Sequence, residues 1–408
     1  MLKQINNAKE RIWMEVYIFD DSPLAQIFCK ALKNAAERGC NVILLIDYIG
    51  SLHFPNSLKQ ELENSGVNVQ VFNPLSLTNA LGPITFRNHK KILVVDDNTA
   101  YCGSLNISKR VVDEELGGDG AFYDIHARVH GPVVYDLAES FLSSLRMTNY
   151  TGPIDGFERP KEIDGGVLVQ VLESNTSGHK KDIQSSLLLA IAQANNNIYL
   201  STSYFIPPGS LRRALLSAKA RNLMFHMLLS GNSDVFGDRN ATFYVLRKFF
   251  RRKFARPVNN NFKVFMTNYH HYHGKVLVVD DLWSSIGSFN WDRLSSRRNM
   301  EVTLGIFDPK VASKLKRLQM EKEKESTEYT RNDSINRMKI LKLYDFVAYH
   351  IAKISGFKQL LNSYFPGGNL LDGLSNEGFK VLFKKTFIRT FVDQNVGDMV
   401  LLSNLPGV

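Results

Sequence analysis

The feature of this sequence that most constrains its fold is an internal duplication. "NHKKILVVDDNTAYCGSLN", at residues 88 to 106, returns as "YHGKVLVVDDLWSSIGSFN", at residues 272 to 290. Both copies consist of His-x-Lys, an apolar run, Asp and Gly-Ser-x-Asn, with a constant offset of 184 residues. A chain with this repeat is expected to form two similar units related by an approximate twofold axis.

The repeat extends beyond the motifs. Residues 6 to 19 match 192 to 206, and residues 31 to 47 match 214 to 230. In the second pair an Ala/Leu-rich helix ends at a residue that tolerates left-handed geometry, Gly39 or Asn222, and an apolar strand follows. Helices alternating with apolar strands predict an α/β fold class in which each unit is a mixed sheet flanked by helices.

The same comparison predicts the boundaries of the domains. The first unit is expected at residues 1 to 150, a Gly/Pro-rich linker at 151 to 165, the second unit at 166 to 310, and a charged helix with a mostly helical extension at 311 to 408. The second unit opens with an apolar strand at 166 to 174, whereas the first opens in a helix. Either the first sheet lacks an edge strand or the natural N-terminus lies upstream.

Composition limits the partners and the compartment. The formal charge of +10 favours an anionic partner, either nucleic acid or an acidic membrane surface. Cys29, Cys40 and Cys102 have spacings of neither a disulfide framework nor a metal site, which indicates a reducing compartment. Since no run has the length of a membrane-spanning helix, membrane association is expected to be peripheral.

The duplicated motif has the parts of an active site. On a strand, residues of one parity share a face, so His89 and Lys91 point together while Asp96 points away. The same holds for His273, Lys275 and Asp280. We therefore assign the two aspartates a structural role at the strand end. Polar side chains of Gly-Ser-x-Asn would return beside each pair: Ser104, Asn106, Ser288 and Asn290.

Two histidines and two lysines in one pocket suit a phosphodiester. One neutral histidine can attack phosphorus while the other, protonated, gives its proton to the leaving alkoxide. The lysines offset the negative charge of the transition state, and neither a cofactor nor a metal is required. A carboxylate usually fixes the histidine tautomer, and Asp124 and Glu301 are the candidates for this role. A metal at "HHYH", residues 270 to 273, is disfavoured because no carboxylate or cysteine completes a ligand set nearby.

The doubled motif His-x-Lys-(x)4-Asp-(x)6-Gly-Ser-x-Asn resembles that of the phospholipase D superfamily. Flanking stretches such as "YFIPPGSL" and "GSFNWDRLSSRRNMEV" look like the bacterial-type cardiolipin synthase branch. That resemblance implies tandem phospholipase D-like units and a phosphatidyltransferase that makes cardiolipin from phosphatidylglycerol and a second phospholipid alcohol. It also implies a phosphohistidine intermediate, with His89 as nucleophile and His273 as acid and base.

Other functions stay open at this point. A phospholipase D-type hydrolase differs only in using water instead of an alcohol, and a nucleic-acid phosphodiesterase would use the same two-histidine site. A non-catalytic membrane scaffold is disfavoured by the complete motifs. The expected partners are an anionic phospholipid and a membrane surface, with nucleic acid less favoured. The expected location is a cytoplasmic membrane face in a bacterium or a mitochondrial membrane in a eukaryote.

Two basic segments have alternative interpretations. "YVLRKFFRRKFARP", at 244 to 257, is either an amphipathic helix with a solvated basic face or a patch for lipid headgroups or nucleic acid. Residues 340 to 365 show apolar positions at helical spacing with Lys between them. They predict either a helix packed on the second unit or a helix lying in a membrane interface.

Overall fold

Each copy of the motif enters a central strand of one half of a continuous mixed sheet. The computed structural model describes residues 1–74, 86–154, 156–175, 180–235, 237–251, 261–355 and 388–392. Within these ranges both halves of the sheet are flanked by helices, which confirms the α/β fold class.

The first unit begins with a helix, and its copy of the motif spans the fourth and fifth strands. Its elements are α1 (Leu2–Asn7), β1 (Arg11–Val16), α2 (Pro23–Glu37), β2 (Asn41–Asp47), α3 (Asn56–Asn64), β3 (Asn68–Phe72), β4 (Ile92–Val95), β5 (Thr99–Gly103), two short 3-10 turns (Lys109–Val111 and Glu114–Leu116), β6 (Phe122–Tyr123), β7 (His126–His130) and α4 (Val133–Leu145).

The second unit largely repeats this order after two additional strands. Its elements are β8 (Val167–Asn175), β9 (Lys180–Lys181), α5 (Asp182–Gln193), β10 (Asn197–Thr202), α6 (Gly209–Ala220), β11 (Met224–Leu229), α7 (Asp238–Phe249), β12 (Phe262–Thr267), β13 (His271–Tyr272), β14 (Val276–Val279), β15 (Trp283–Gly287), α8 (Arg293–Arg297), β16 (Glu301–Phe307) and α9 (Pro309–Lys324). The extension adds β17 (Ser326–Glu328), α10 (Arg331–Asn336), α11 (Lys339–Ser355) and β18 (Ile388–Val392).

Strand pairing is the same in both units. β1 pairs in parallel with β2 and antiparallel with β4, as β10 does with β11 and β14. β4, β5 and β7 then form an antiparallel series, matched by β14, β15 and β16. The helices end as the sequence predicts: Gly39 and Asn222 have φ values of 94° and 62° just after α2 and α6.

The strand that the first unit lacks at its start has a counterpart from the other end of the chain. In the second unit β8 pairs antiparallel with β16. The equivalent place beside β7 is occupied by β18, which pairs antiparallel with both β7 and β8. β18 thereby covers the open backbone edge of β7 and joins the two half-sheets.

A core shared by both units holds them in one arrangement. It includes Trp13 and Phe141 of the first unit, whose rings stack with centroids 5.7 Å apart, and Val302 and Leu304 of the second. Helix α9 contributes Leu315 to the same core, so the charged helix after residue 310 packs through one face. The basic segment 244 to 257 lies partly in α7, and residues 252–260 fall outside the described ranges.

The first motif also carries a buried charge that links the units. Lys90 lies between His89 and Lys91 but points to the opposite face, where its Nζ is 2.8 Å from Glu173 Oε1 and 2.9 Å from the Ser140 carbonyl oxygen. Its side chain is fully buried. A buried ion pair is costly to break because the remaining charge loses its buried partner. Glu173 would keep only its pair with Lys180, whose side chain is half exposed.

Replacing Lys90 by Met should therefore lower the free energy of unfolding by about 3 kcal/mol. Urea unfolding at neutral pH would measure the loss. Lys33→Met is the matched control, since it breaks an exposed pair with Glu61 and should leave stability unchanged. Equal losses in the two variants would contradict the structural role of the Lys90 pair.

Candidate active site

Each histidine segment is hydrogen-bonded to the other unit. The His89 amide donates to the Met300 carbonyl at 2.9 Å, and the Met300 amide donates to the Arg87 carbonyl at 2.9 Å. Correspondingly, the His271 and His273 amides donate to the Ala121 and Tyr123 carbonyls at 2.7 and 2.8 Å, where β13 pairs with β6. The two motifs therefore meet at the boundary between the units.

Each carboxylate is paired with the histidine of the opposite unit across this boundary. His89 Nδ1 lies 3.0 Å from Glu301 Oε2, and His273 Nδ1 lies 2.6 Å from Asp124 Oδ1. All four side chains are buried. Each motif histidine is thus held by a carboxylate of the opposite unit, so neither unit by itself supplies both members of either pair.

Hydroxyl groups hold the carboxylates in place. Ser288 and Ser295 both donate to Glu301, the latter at 2.6 Å. Ser104 occupies the equivalent position in the first unit, where its Oγ donates to the Ile125 carbonyl and accepts from the Ile125 amide. The preceding glycine is required by close approach: a Cβ on Gly103 would lie 2.5 Å from the Ile125 carbonyl oxygen.

The lysines lie beside their own histidines. Lys91 Nζ donates to the His89 carbonyl at 2.8 Å, and Lys275 Nζ donates to the His273 carbonyl. Both side chains are buried, and the Lys91 ammonium also lies 5.2 Å from the centroid of the Tyr17 ring. Two cations are therefore fixed at the point where the two units meet.

The asparagines are anchored through their oxygens. Asn106 Oδ1 accepts from the Ile18 amide at 3.1 Å, and Asn290 Oδ1 accepts from Ser203 Oγ at 3.1 Å. With the amide oxygen engaged, each side chain has its Nδ2 group left to donate to a bound oxygen.

Asp96 and Asp280 do not join this cluster. Each has positive φ, 50° and 56°, at the far end of its strand. Asp96 accepts from the amides of residues 9 to 11, and Asp280 from the amides of residues 195 to 197. They fix the chain entering β1 and β10.

Burial and the paired charges set the protonation states. Burial lowers the pKa of His273 to about 3 and lowers that of His89 as well. Burial alone would raise the pKa of Asp124 and Glu301, but the facing histidines and their hydrogen bonds outweigh it and hold both values below the usual range. Each pair is therefore a neutral imidazole on an ionised carboxylate, with the proton on Nδ1 and the lone pair on Nε2.

The lowered pKa values of the two lysines predict a loss of activity at high pH. Burial lowers the pKa of Lys91 to about 7 and that of Lys275 to about 8, and the charge of Lys275 contributes to the shift at Lys91. Only the protonated amines attract a phosphate, so kcat/KM should fall as pH rises through these values. A profile that stays flat to about pH 9 would contradict this, and Lys91→Arg should move the fall to higher pH because a guanidinium stays charged.

Several site residues lie outside the motifs. The ring centroid of Tyr17 is 4.8 Å from that of His89, and the Phe122 ring stacks on His273 at 4.9 Å. Tyr204 donates to Asp234 at 2.5 Å. The sequence carries a signal for the two tyrosines, because Tyr17 in "VYIF" and Tyr204 in "SYFI" follow equivalent strands, β1 and β10.

His271 lies two residues before His273 but is not part of the motif. It is buried in β13, its ring is 4.8 Å from that of Phe122, and its Nδ1 donates to the Asn232 carbonyl at 2.8 Å.

Across the described part of the chain, no group of three or more His, Cys, Asp or Glu side chains is placed to hold a metal ion. Among the helices in the described ranges, none has both the length and the apolar character needed to cross a membrane.

Comparison with known proteins gives one family. Residues 1–117 and 187–320, more than half of the chain, match the family model described as "Cardiolipin synthase, PLD-like domain". Both copies of the motif lie within the matched residues.

The chain is similar to curated bacterial proteins. The chain is 29% identical over 324 residues to the cardiolipin synthase of Listeria welshimeri, covering 77% of this chain and 64% of that protein. It is 29% identical over 357 residues to cardiolipin synthase A of Pseudomonas putida, covering 86% and 71%. The chain thus spans somewhat less than two thirds of the length of the Listeria relative.

Solved structures share the fold at low identity. The phosphatidylserine synthase of Haemophilus influenzae superposes with a TM-score of 0.67 at 14% identity, covering 88% of this chain and 91% of that one. The polyphosphate kinase of Porphyromonas gingivalis superposes with a TM-score of 0.51 at 11% identity, covering 88% and 53%.

Proposed function

Because the chain belongs to the family described as cardiolipin synthase, PLD-like domain, we propose that it is a phosphatidyltransferase that makes cardiolipin from phosphatidylglycerol and a second phospholipid alcohol. The observation that carries this proposal is the crossed pair of hydrogen bonds, His89 to Glu301 and His273 to Asp124. These hydrogen bonds orient two imidazoles beside two lysines in one buried site, and a two-step phosphoryl exchange needs these functional groups. The names of the bacterial relatives support the lipid substrate.

The first step forms a covalent intermediate. The Nε2 lone pair of His89 attacks the phosphorus of phosphatidylglycerol, and the bond from phosphorus to the glycerol oxygen breaks. His273, protonated on Nε2, gives this proton to the departing alkoxide, so that glycerol leaves neutral. The negative charge of the substrate phosphate favours the protonated form of His273 before the step.

The second step reverses these roles. The hydroxyl of a second phospholipid attacks phosphorus, its proton passes to Nε2 of His273, and the bond from phosphorus to His89 breaks. Lys91 and Lys275 stabilise the negative charge in both transition states, with Asn106 and Asn290 donating to phosphate oxygens. Glu301 and Asp124 keep each Nδ1 protonated, so that each Nε2 is the reacting nitrogen.

The proposed partners are an anionic phospholipid and the membrane that contains it, with the protein bound peripherally on a cytoplasmic membrane face. The formal charge of +10 supports attraction to such a surface.

Incubation with labelled phosphatidylglycerol vesicles, followed by mass analysis of the lipids, tests this function. Cardiolipin and glycerol in equal amounts are the expected products. Phosphatidic acid as the main product would instead mean that water resolves the intermediate. Cleavage of DNA, weakened by salt and without any lipid product, would replace the lipid substrate by nucleic acid.

A further inference from the structure

Helix α11 carries most of its large aliphatic side chains on the side that faces away from the protein, while Ala348 and Tyr349 pack inward. Ile340, Leu343, Tyr344, Val347 and Ile351 recur at helical spacing and form one stripe, here called the outward stripe. Their exposed fractions run from 39% at Tyr344 to 64% at Ile340. A helix on a protein surface normally has the reverse orientation, with its apolar stripe inward.

Specific bonds on the inner face fix this orientation. Asp345 is fully buried and receives hydrogen bonds from Arg337 at 2.7 and 2.8 Å and from Asn240 of α7 at 3.0 Å. The Tyr349 hydroxyl accepts from Arg212 at 3.0 Å. Rotating α11 to bury the outward stripe would break these bonds and expose the carboxylate, so the exposed stripe is a property of the packed helix.

The outward stripe belongs to a larger apolar patch. Nine of the 19 large apolar side chains that are exposed in the described part of the chain lie between Ile335 and Ile351. Met338, which is 63% exposed, extends the patch between α10 and α11. Single exposed apolar residues are ordinary, but a contiguous group of this kind marks an interaction surface.

The charges around the patch indicate what it contacts. Asp345 is the acidic residue of α11, and its charge is satisfied by Arg337. Lys339 is exposed at the start of the helix, and Lys342 lies one turn further along. Apolar side chains bordered by lysines suit an interface in which the stripe enters the acyl region and the lysines meet anionic headgroups.

We propose that the outward stripe of α11 docks the protein onto an anionic lipid bilayer. The position of the helix supports this partner over a second protein. A Cβ on Gly237, in the loop before α7, would lie 3.5 Å from Ala348 of α11. The same loop, from Ser230 onward, bonds to His271 and Tyr204 beside the catalytic pair. Docking would thus hold one rim of the pocket against the surface that, if the proposed function holds, supplies the lipid.

Binding of the full chain to vesicles tests this proposal. The vesicles contain equal amounts of phosphatidylglycerol and phosphatidylcholine, and binding is measured by sedimentation. The double variant Leu343→Glu, Ile351→Glu should bind roughly tenfold more weakly or worse, because two apolar contacts are replaced by charges. Met320→Glu is the matched control, since Met320 is exposed on α9 and its replacement should leave binding unchanged. Lys339→Glu should weaken binding to these vesicles but not to phosphatidylcholine alone.

Two further readouts separate the outcomes. The double variant should keep the wild-type melting temperature and wild-type turnover of detergent-dispersed phosphatidylglycerol. Undiminished vesicle binding by the double variant would overturn the proposal. If that variant also dissociates a dimer, a second copy of the chain covers the patch. If it instead melts at a lower temperature, another part of the same chain covers the patch. If the wild-type protein binds vesicles through the stripe but turns over no lipid, the docking surface stands and the proposed function fails.

Discussion

Replacing either His89 or His273 by alanine should lower the rate of phosphatidyl transfer by at least about a thousandfold. The two imidazoles act in the same cycle, one as nucleophile and one as acid and base, so loss of either stops both steps. The measurement is cardiolipin formation from phosphatidylglycerol under saturating substrate. His130→Ala is the control, because His130 lies at the far end of β7 and bonds to Thr99.

The double variant gives a sharper test of one shared site. Residues that work as a unit are not additive, so His89→Ala with His273→Ala should be about as slow as either single variant. Retention of a tenth or more of the activity, as a rough threshold, by one single variant would mean that the histidines serve separate sites.

Changing Asp124 to Asn or Glu301 to Gln should lower kcat by roughly a thousandfold, with little change in KM. An amide can turn its NH2 group toward Nδ1, which would move the imidazole proton to Nε2 and remove the reacting lone pair. Because the pairs cross between units, Glu301→Gln in the second unit should disable His89 in the first.

Asp96→Asn is the matched control for this experiment. Asp96 is a carboxylate of the same motif, but it bonds to backbone amides at the far end of the strand, so its loss should lower stability and leave kcat of the folded enzyme unchanged. The nitrogen NMR shifts of His273 in Asp124→Asn would report the tautomer directly. A normal kcat in both amide variants would contradict the orienting role.

The sequence predicts the fold class and the composition of the site because both follow from short sequence patterns. Repeated His-x-Lys and Gly-Ser-x-Asn patterns identify the strands, and a carboxylate follows each motif, Glu301 after Asn290 and Asp124 after Asn106 with an inserted loop between. The pairing of each histidine with a carboxylate of the opposite unit could not be predicted, because it depends on how the shared core around Trp13 and Val302 packs the two half-sheets. Phe122 was missed for the same reason, since ring contacts over long chain separations leave no pattern in the sequence, whereas Tyr17 recurs as Tyr204 at the equivalent position of the second repeat.

The C-terminal extension shows the limits of periodicity. The apolar spacing of residues 340 to 365 correctly indicates a helix over the described part, α11, while residues 356–365 lie outside the described ranges. The sequence left open whether this helix packs on the second unit or meets a membrane. The structure shows packing through Asp345, Ala348 and Tyr349, with the outward stripe exposed, which amphipathic spacing alone cannot reveal because it does not say which face turns inward. A strand at 388–392 beside β7 was equally beyond local prediction.

The covalent intermediate is the most direct test of the account. The enzyme is mixed with phosphatidylglycerol without a second acceptor, denatured at alkaline pH, and digested for mass spectrometry of its peptides. The account predicts a phosphatidyl adduct on His89, released glycerol in equal amount, and loss of the adduct in His89→Ala. Turnover of lipid with no adduct on either His89 or His273 would contradict it, because phosphatidyl transfer would then proceed without a phosphohistidine.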